Sequence, residues 1–343
     1  MPEVSVVLAA YNSPLVVAQL ESIAAQVLAP AEVIVVNDST DSGMGPLIDA
    51  TVSRLRSVSP ETRFVIRHNE RNLGMYESYE WALRAATSPI IAMCDHDDVW
   101  LPRKLAETAT RVAQSGRAVC HDVSVFFGVG SPPSVPSSDR LSERSLWASH
   151  AQFDGKPIPL DVLLHRNRLS GTSLVFPASL VDEILPLPRD VFPDYWVALV
   201  AATRIGLIWE DLPLVHYRRH DTNTVVMGAG RRGLREPFPV FASDTMDRLR
   251  DGAREELRPT IDEWKRLSQW RHAVSIGSNR RAAAASVLRR PGALRFYEGP
   301  RGVLGDLARL LAFSLPGGPS APRIRSADGR QAVCPLNRRR ASG

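Results

Sequence analysis

The chain has 343 residues, 44% of them hydrophobic and 23% charged, with a formal net charge of +5. That length supports a full core in one large domain or two, and the composition is ordinary for a soluble globular protein. No run reaches the ~18–20 apolar residues of a membrane-spanning helix. No basic n-region and apolar h-region precede the first strand pattern at Val4, so no signal peptide is expected. Cys94, Cys120 and Cys334 are far apart and form no CxxC pair, which points to a reducing compartment and away from a cysteine metal site.

Residues 4–9 are a short apolar, β-branched run and read as a buried strand. Ala10-Tyr11-Asn12-Ser13-Pro14 breaks it with turn and cap chemistry. Val16, Leu20, Ile23 and Val27 lie on one helical face, and Pro30 ends that helix. Residues 32–36 are a second buried strand, running into the polar stretch Asn37–Gly43. A right-handed crossover makes these two strands parallel, and ligands of open α/β sheets bind at the strand carboxyl ends. A weaker helix at 47–58, a strand at 63–67 and a polar loop at 68–74 follow. Met75, Tyr79, Ala82 and Ala86 mark the next helical face. A strand at 90–94, a helix at 102–115 and a strand at 117–127 complete a βαβαβαβαβ pattern, a mainly parallel sheet with helices on its faces.

Residues 128–159 are rich in Pro, Ser and Gly and read as a mobile loop over the strand ends. A short helix at 160–165, a polar turn at 167–172, a strand at 173–176, a helix at 178–185 and an apolar helix at 195–204 come next. Residues 208–220 read as strand, turn, strand. An Arg/Glu-rich helical pattern covers 245–290, an amphipathic stripe runs through Val303, Leu304, Leu307, Leu310 and Leu311, and the Gly/Pro/Arg-rich tail after Pro316 reads as unstructured.

Strand 90–94 delivers three carboxylates and an imidazole in four residues, Asp95-His96-Asp97-Asp98. Crowded carboxylates need a cation, water or hydrogen-bond donors. The competing reading is a solvated acidic turn that caps the next helix.

Seven segments in order, VSVVLAAYN (4–12), EVIVVNDSTDSG (32–43), HNERNLG (68–74), DHDDVWLPRKL (95–105), NRLSGTSLVF (167–176), PDYWVALVA (193–201) and YRRHDTN (217–223), resemble family 2 glycosyltransferases of the GT-A fold. The similarity is strongest to the bacterial rhamnosyltransferase-like subgroup. It implies an α/β, Rossmann-like sheet over 1–227, with a nucleotide-binding half at 1–127 and an acceptor and catalytic half at 160–227. A helical, basic extension (228–315) and a tail (316–343) lie beyond its reach.

The resemblance implies a nucleotide diphosphate sugar donor, a dTDP- or UDP-sugar, and a glycan or lipid-linked acceptor, as in bacterial surface polysaccharide synthesis. Tyr11 would stack on the base and Asp38 would accept from its imide N–H, against the alternatives of a packed turn aromatic and a helix N-cap. Ala10, Asn12, Asn72 and Gly74 fall in the same nucleotide-binding segments, and Arg71 reaches a phosphate or the base region. A divalent metal at the diphosphate stabilises the leaving group, and oxygen ligands suit Mg²⁺ or Mn²⁺. By resemblance Asp97 is the direct ligand and Asp95 contacts the ribose or the metal shell. His220 adds a late metal or phosphate contact. Asp98 caps the helix or orients the loop. His96 contacts the metal or the sugar, or points to the opposite face of the turn. Asp194, in Pro193-Asp194-Tyr195-Trp196, matches the family's general base. Its competing reading is the N-cap of the helix that follows, and Pro193 departs from the family pattern. A single base with in-line displacement implies inversion at the anomeric carbon. Gly171 lets the backbone approach the donor sugar or acceptor.

The net charge is −7 over residues 1–227 and +12 over residues 228–343. The stripe at 303–315, flanked by Arg290, Arg295, Arg301 and Arg309, has the pattern of an interfacial helix, which suits a cytoplasmic enzyme peripheral to the inner membrane face. A helical homodimer or packing element is the alternative. Trp264, Trp270, Phe296 and Tyr297 do not interleave with Arg as a base-stacking platform would, which argues against nucleic acid. A sugar nucleotidyltransferase would need a Gly/Arg-rich phosphate loop with a Lys after the first strand, and residues 9–15 have none. A non-catalytic nucleotide-sugar-binding module on the same scaffold would not need both Asp97 and Asp194.

Overall fold

The computed structural model describes residues 1–132, 151–165, 167, 169–220 and 241–275. The first half alternates as expected: β1 (Val4–Ala10), α1 (Val16–Ala24), β2 (Glu32–Asn37), α2 (Met44–Val58), β3 (Arg63–His68), α3 (Met75–Ala85) and β4 (Ile90–Cys94). Then come β5 (Val99–Trp100), α4 (Lys104–Ser115), β6 (Ala118–His121), β7 (Ser124–Phe127), α5 (Leu160–His165), β8 (Val175–Pro177), α6 (Val181–Ile184), α7 (Pro193–Arg204), β9 (Leu207–Glu210), β10 (Val215–Arg219), α8 (Ser243–Asp251) and α9 (Arg258–Ser275).

Seven strands form one sheet in the order β3-β2-β1-β4-β8-β6-β9. β1 pairs in parallel with both β2 and β4, as the crossover rule requires. Only β8 is antiparallel to its neighbours, β4 and β6. The central strands are buried on both faces: Val4, Val6, Val7 and Leu8 of β1 are all 0% exposed. Burial of each such side chain contributes about 1.5–3 kcal/mol, which is why these strands read as continuous apolar runs. The expected α/β fold with a mainly parallel sheet and flanking helices is therefore present.

Several local expectations change. α1 ends at Ala24, and Val27 is 69% exposed instead of completing the helical face. Its backbone N–H instead donates to Pro102 O at 2.8 Å. The expected strand 117–127 is two strands in different sheets. β6 joins the large sheet, while β7 joins β10 and β5 in a three-stranded sheet. Residues 154–158, expected within a mobile loop, dock along β9: Gly155 N–H donates to Trp209 O and Ile158 N–H to Leu207 O, both at 2.8 Å. Residues 241–269, part of the expected extension, pack onto the body: the Phe241 ring lies 5.6 Å from Tyr195 and 4.9 Å from Trp264. The helical pattern beyond residue 275, the stripe at 303–315 with its flanking arginines, the tail and the loop segment 133–150 lie outside the described residues.

Candidate active site

The carboxyl ends of β1, β2 and β4 meet where the strand order reverses between β1 and β4, the place where α/β sheets bind ligands. Two polar clamps shape this edge. Asn12 adopts φ 43°, a left-handed conformation that Asn tolerates. Its Oδ1 accepts the N–H groups of Thr40 (2.9 Å) and Asp41 (3.0 Å), and its Nδ2 donates to Thr40 Oγ1 (2.9 Å). The turn after β1 is thereby tied to the turn after β2. Ala10 lies beneath them, buried, its carbonyl accepting the Asp38 N–H at 2.9 Å.

Asp38 is the second clamp. Its Oδ1 accepts Asn69 Nδ2 (2.8 Å) and the Leu73 N–H (2.7 Å). Its Oδ2 accepts Asn72 Nδ2 (3.0 Å) and the Gly74 N–H (2.8 Å). A carboxylate has about four acceptor positions, so this one is filled by the 69–74 loop, and a base imide would have to take one of them over. It caps no helix of its own strand, since α2 starts at Met44 after Gly43. Gly74, at φ 91°, starts α3 in a conformation that favours glycine. Asp38→Ala should speed amide exchange at Leu73 and Gly74 by about tenfold or more, since a hydrogen bond to a charged group is worth about 1.5–3 kcal/mol. Exchange unchanged at both amides would contradict the clamp. Tyr11, just after β1, is 48% exposed. Arg71 is also exposed.

The acidic turn follows β4. Burial, then the charges of Asp97 and Asp194, push the Asp95 carboxyl up to about 7. The Thr172 N–H reaches Asp95 Oδ2 at 3.3 Å. Asp97 meets His220 Nε2 at 2.9 Å. Asp98 is fully buried, and its Oδ1 accepts the Arg218 N–H at 2.9 Å. Burial and the neighbouring Asp97 and Asp95 hold its carboxyl well above the usual range. Of its two expected roles, Asp98 takes that of orienting the loop, because α4 starts after Arg103 with no side-chain cap. The His96 ring bonds the backbone of Ala9 near the end of β1, and the Asp97 and His220 charges act on it. Burial lowers its pKa.

The third component comes from β8 and α7. A single tight turn, Gly171–Ser173, precedes β8. A Cβ on Gly171 would stand 3.3 Å from Asp95 Oδ1 and 3.4 Å from Asp194 Cβ, so this glycine fits between the two acids. Asp194 is the second residue of α7, after Pro193 at the first position, where proline's missing N–H costs nothing. It is therefore inside the helix rather than its N-cap. Its Oδ1 accepts the Tyr195 N–H at 2.7 Å, and Asn167 and Gly171 also bond the carboxylate. Burial outweighs these bonds and raises its pKa to about 6.

The fold thus brings Asp95, Asp97, His220, Gly171 and Asp194 together at one sheet edge, with Asn12, Asp38, Asn72 and Gly74 along the β1–β2 side. Sequence reasoning missed Arg218. It is 1% exposed, and its Nε donates to Asp97 O at 2.7 Å and its Nη1 to Gly128 O at 3.1 Å. An arginine on the buried side of β10 was the available signal. It also missed Thr172 and Tyr79, whose hydroxyl donates to Cys94 O at 2.9 Å.

Among the described residues, no three His, Cys, Asp or Glu side chains already form a metal cage. The donor set still suits a hard cation. Mg²⁺ and Mn²⁺ take one or two carboxylates and fill the remaining positions with phosphate oxygens and water. Asp97, Asp95 and His220 offer that partial set, and a cation would offset the Asp97–Asp95 repulsion that, after burial, raises Asp95.

The chain is similar to several known proteins. Residues 5–163 match the profile described as "Glycosyl transferase family 2". An "Uncharacterized glycosyltransferase YwdF" of Bacillus subtilis (strain 168) is 29% identical over 111 residues, 32% of this chain and 38% of that relative. The aligned stretch therefore spans well under half of that relative's length. Among solved structures, S. aureus TarS 1–349 in complex with UDP-GlcNAc superposes with TM-score 0.53 at 17% identity, covering 91% of this chain and 83% of that one. TarS 1–349 without a named ligand gives TM-score 0.52 at 18% identity, with the same coverage. At these identities the structures show the shared fold. Over residues 5–163 the chain is thus similar to glycosyl transferase family 2, and its fold is shared with the TarS structures.

Proposed function

We propose that the chain is a metal-dependent, inverting glycosyltransferase that moves a sugar from a nucleotide diphosphate donor, a UDP- or dTDP-sugar, to a hydroxyl of a glycan or lipid-linked acceptor. The observation that carries this reading is Gly171, which leaves room for Asp194 and Asp95 to face each other across a backbone turn. In this reading one acid serves the acceptor and the other the donor. The family match and the TarS complex with UDP-GlcNAc support the donor class.

In this reading Tyr11 stacks on the base, Asn12, Asp38, Asn72 and Gly74 shape the nucleotide side, and Arg71 meets a phosphate. Asp97, with Asp95 and His220, would hold Mg²⁺ or Mn²⁺. A bound divalent cation offsets the charge that builds on the departing diphosphate. Asp194 takes the proton of the acceptor hydroxyl as its oxygen attacks the anomeric carbon and the bond from sugar to diphosphate breaks. Attack from the face opposite the leaving group inverts that carbon.

The charge step between residues 1–227 and 228–343 supports a cytoplasmic enzyme held at the inner membrane face. Among the described residues no helix is long and apolar enough to cross a membrane. Flotation with anionic vesicles should recover the full chain and lose it when residues 290–343 are removed; equal recovery would contradict the contact. The function itself is tested with a panel of UDP- and dTDP-sugars and Mn²⁺, read as released nucleotide diphosphate. Release from none of them would overturn the reading.

A further inference from the structure

Thr172 is 0% exposed and touches both halves of the site. Its N–H donates to Asp95 Oδ2 at 3.3 Å. Its hydroxyl oxygen accepts the indole N–H of Trp100 at 2.9 Å and also bonds the Asp98 carboxyl. The preceding residue is Gly171, wedged between Asp95 and Asp194.

Trp100 is fixed from three sides. Its backbone N–H donates to Ser22 Oγ at 3.0 Å, its indole N–H meets Thr172, and the Lys104 ammonium stands 3.5 Å from its ring centroid. Lys104 is fully buried, its Nζ makes no hydrogen bond among the described residues, and burial lowers its pKa to about 7. Trp100, on β5, is thus held through its backbone, its indole N–H and its ring face.

From Asp98 the chain of contacts continues through the Arg218 N–H to β10, and from β10 to His220 and Asp97. The Thr172 hydroxyl is thus the joint between Trp100, the acidic turn and the turn that passes Asp194.

We infer that Thr172 is a positioning residue: through the Trp100 indole and the Asp98 carboxyl, its hydroxyl sets the distance between the Asp95–Asp97 turn and Asp194. This rests on the glycosyltransferase reading above. It predicts a loss in turnover rather than in donor binding, because misplacing reacting groups by a fraction of an ångström costs rate first.

The test uses the full chain with Mn²⁺ and an active donor. Thr172→Val keeps shape and loses the hydroxyl; Thr172→Ser keeps the hydroxyl. Thr172→Val should lower kcat about tenfold or more, with donor KM changed less than about threefold, and Thr172→Ser should restore kcat to within about threefold of the parent. Trp100→Phe removes the indole N–H and should lower kcat in the same direction, which keeps the test open if Thr172→Val fails to fold. Parental kcat in Thr172→Val or in Trp100→Phe would overturn the inference. So would equal loss in Thr172→Ser and Thr172→Val, or a loss confined to KM. A parent protein that turns over no donor would overturn the function, a separate and distinguishable result.

Discussion

Asp194→Asn should lower kcat by about 10²–10⁴-fold, the usual contribution of a positioned general base. Donor KM should hardly move, because Asp194 lies beside Gly171 at the start of α7, while the Asn12 and Asp38 clamps lie at the ends of β1 and β2. The amide oxygen of asparagine can still accept the Tyr195 N–H, so the start of α7 keeps its geometry. What is lost is the ability to take a proton. The parent's kcat should rise with pH and level off above about 6, the value to which burial raises Asp194. The variant's residual rate should lack that limb.

Stability adds an independent check on the same residue. Its folded pKa of about 6 lies above the ordinary carboxyl value of 3.8. Proton binding therefore favours the folded state: the contribution is complete below pH about 4 and lost as pH rises through about 6. The substituted amide carries no charge to bury, so the variant's Tm should match or exceed the parent's at pH 8. Parental turnover, or a collapse of Tm with the pH limb intact, would contradict the base assignment.

Asp97→Asn should cost at least about 100-fold in kcat, since charge stabilisation by a catalytic metal is worth several kcal/mol and each 1.4 kcal/mol is about tenfold. The amide keeps an oxygen toward His220 Nε2, which stands 2.9 Å from the native carboxylate, so the tie between β10 and the acidic turn is preserved. The carboxylate charge is lost. Chelation of the parent with EDTA should bring it down to the level of the variant, and Mn²⁺ should restore the parent but not the variant. Parent activity that persists in EDTA, or full rescue of Asp97→Asn by ordinary Mn²⁺, would contradict the role given to Asp97.

The strand ends that form the site were legible because buried parallel strands are unbroken apolar runs, and the polar residues that stop them are conspicuous. Tyr11, Asp38 and Asp95 were placed in this way, as was the acidic helix start at Asp194. What could not be read depends on pairing between distant segments. Ala118–Phe127 reads as one mostly apolar run, and nothing local says that Asp122 and Val123 divide it between two sheets. β8 enters antiparallel between β4 and β6, and only that pairing carries Thr172 to Asp95. Val27 continues a helical period after the helix has stopped, because periodicity does not record where the chain turns to meet Pro102. Residues 154–158 bond β9 through their backbone, which leaves no mark on side-chain pattern. The Asp38 clamp needed the loop partners Asn69, Leu73, Asn72 and Gly74 in three dimensions before its four bonds could be counted.

The central claim is that this sheet edge turns over a nucleotide sugar and does not merely hold one. The direct measurement pairs binding and turnover on the same donor: calorimetric affinity, and nucleotide diphosphate released with Mn²⁺ and an acceptor, for the parent and Asp194→Asn. Equal affinity in the two proteins, with release by the parent and about 10²–10⁴-fold less by the variant, is the predicted result. Tight binding by both proteins with equally slow release would contradict it and leave a nucleotide-sugar-binding module.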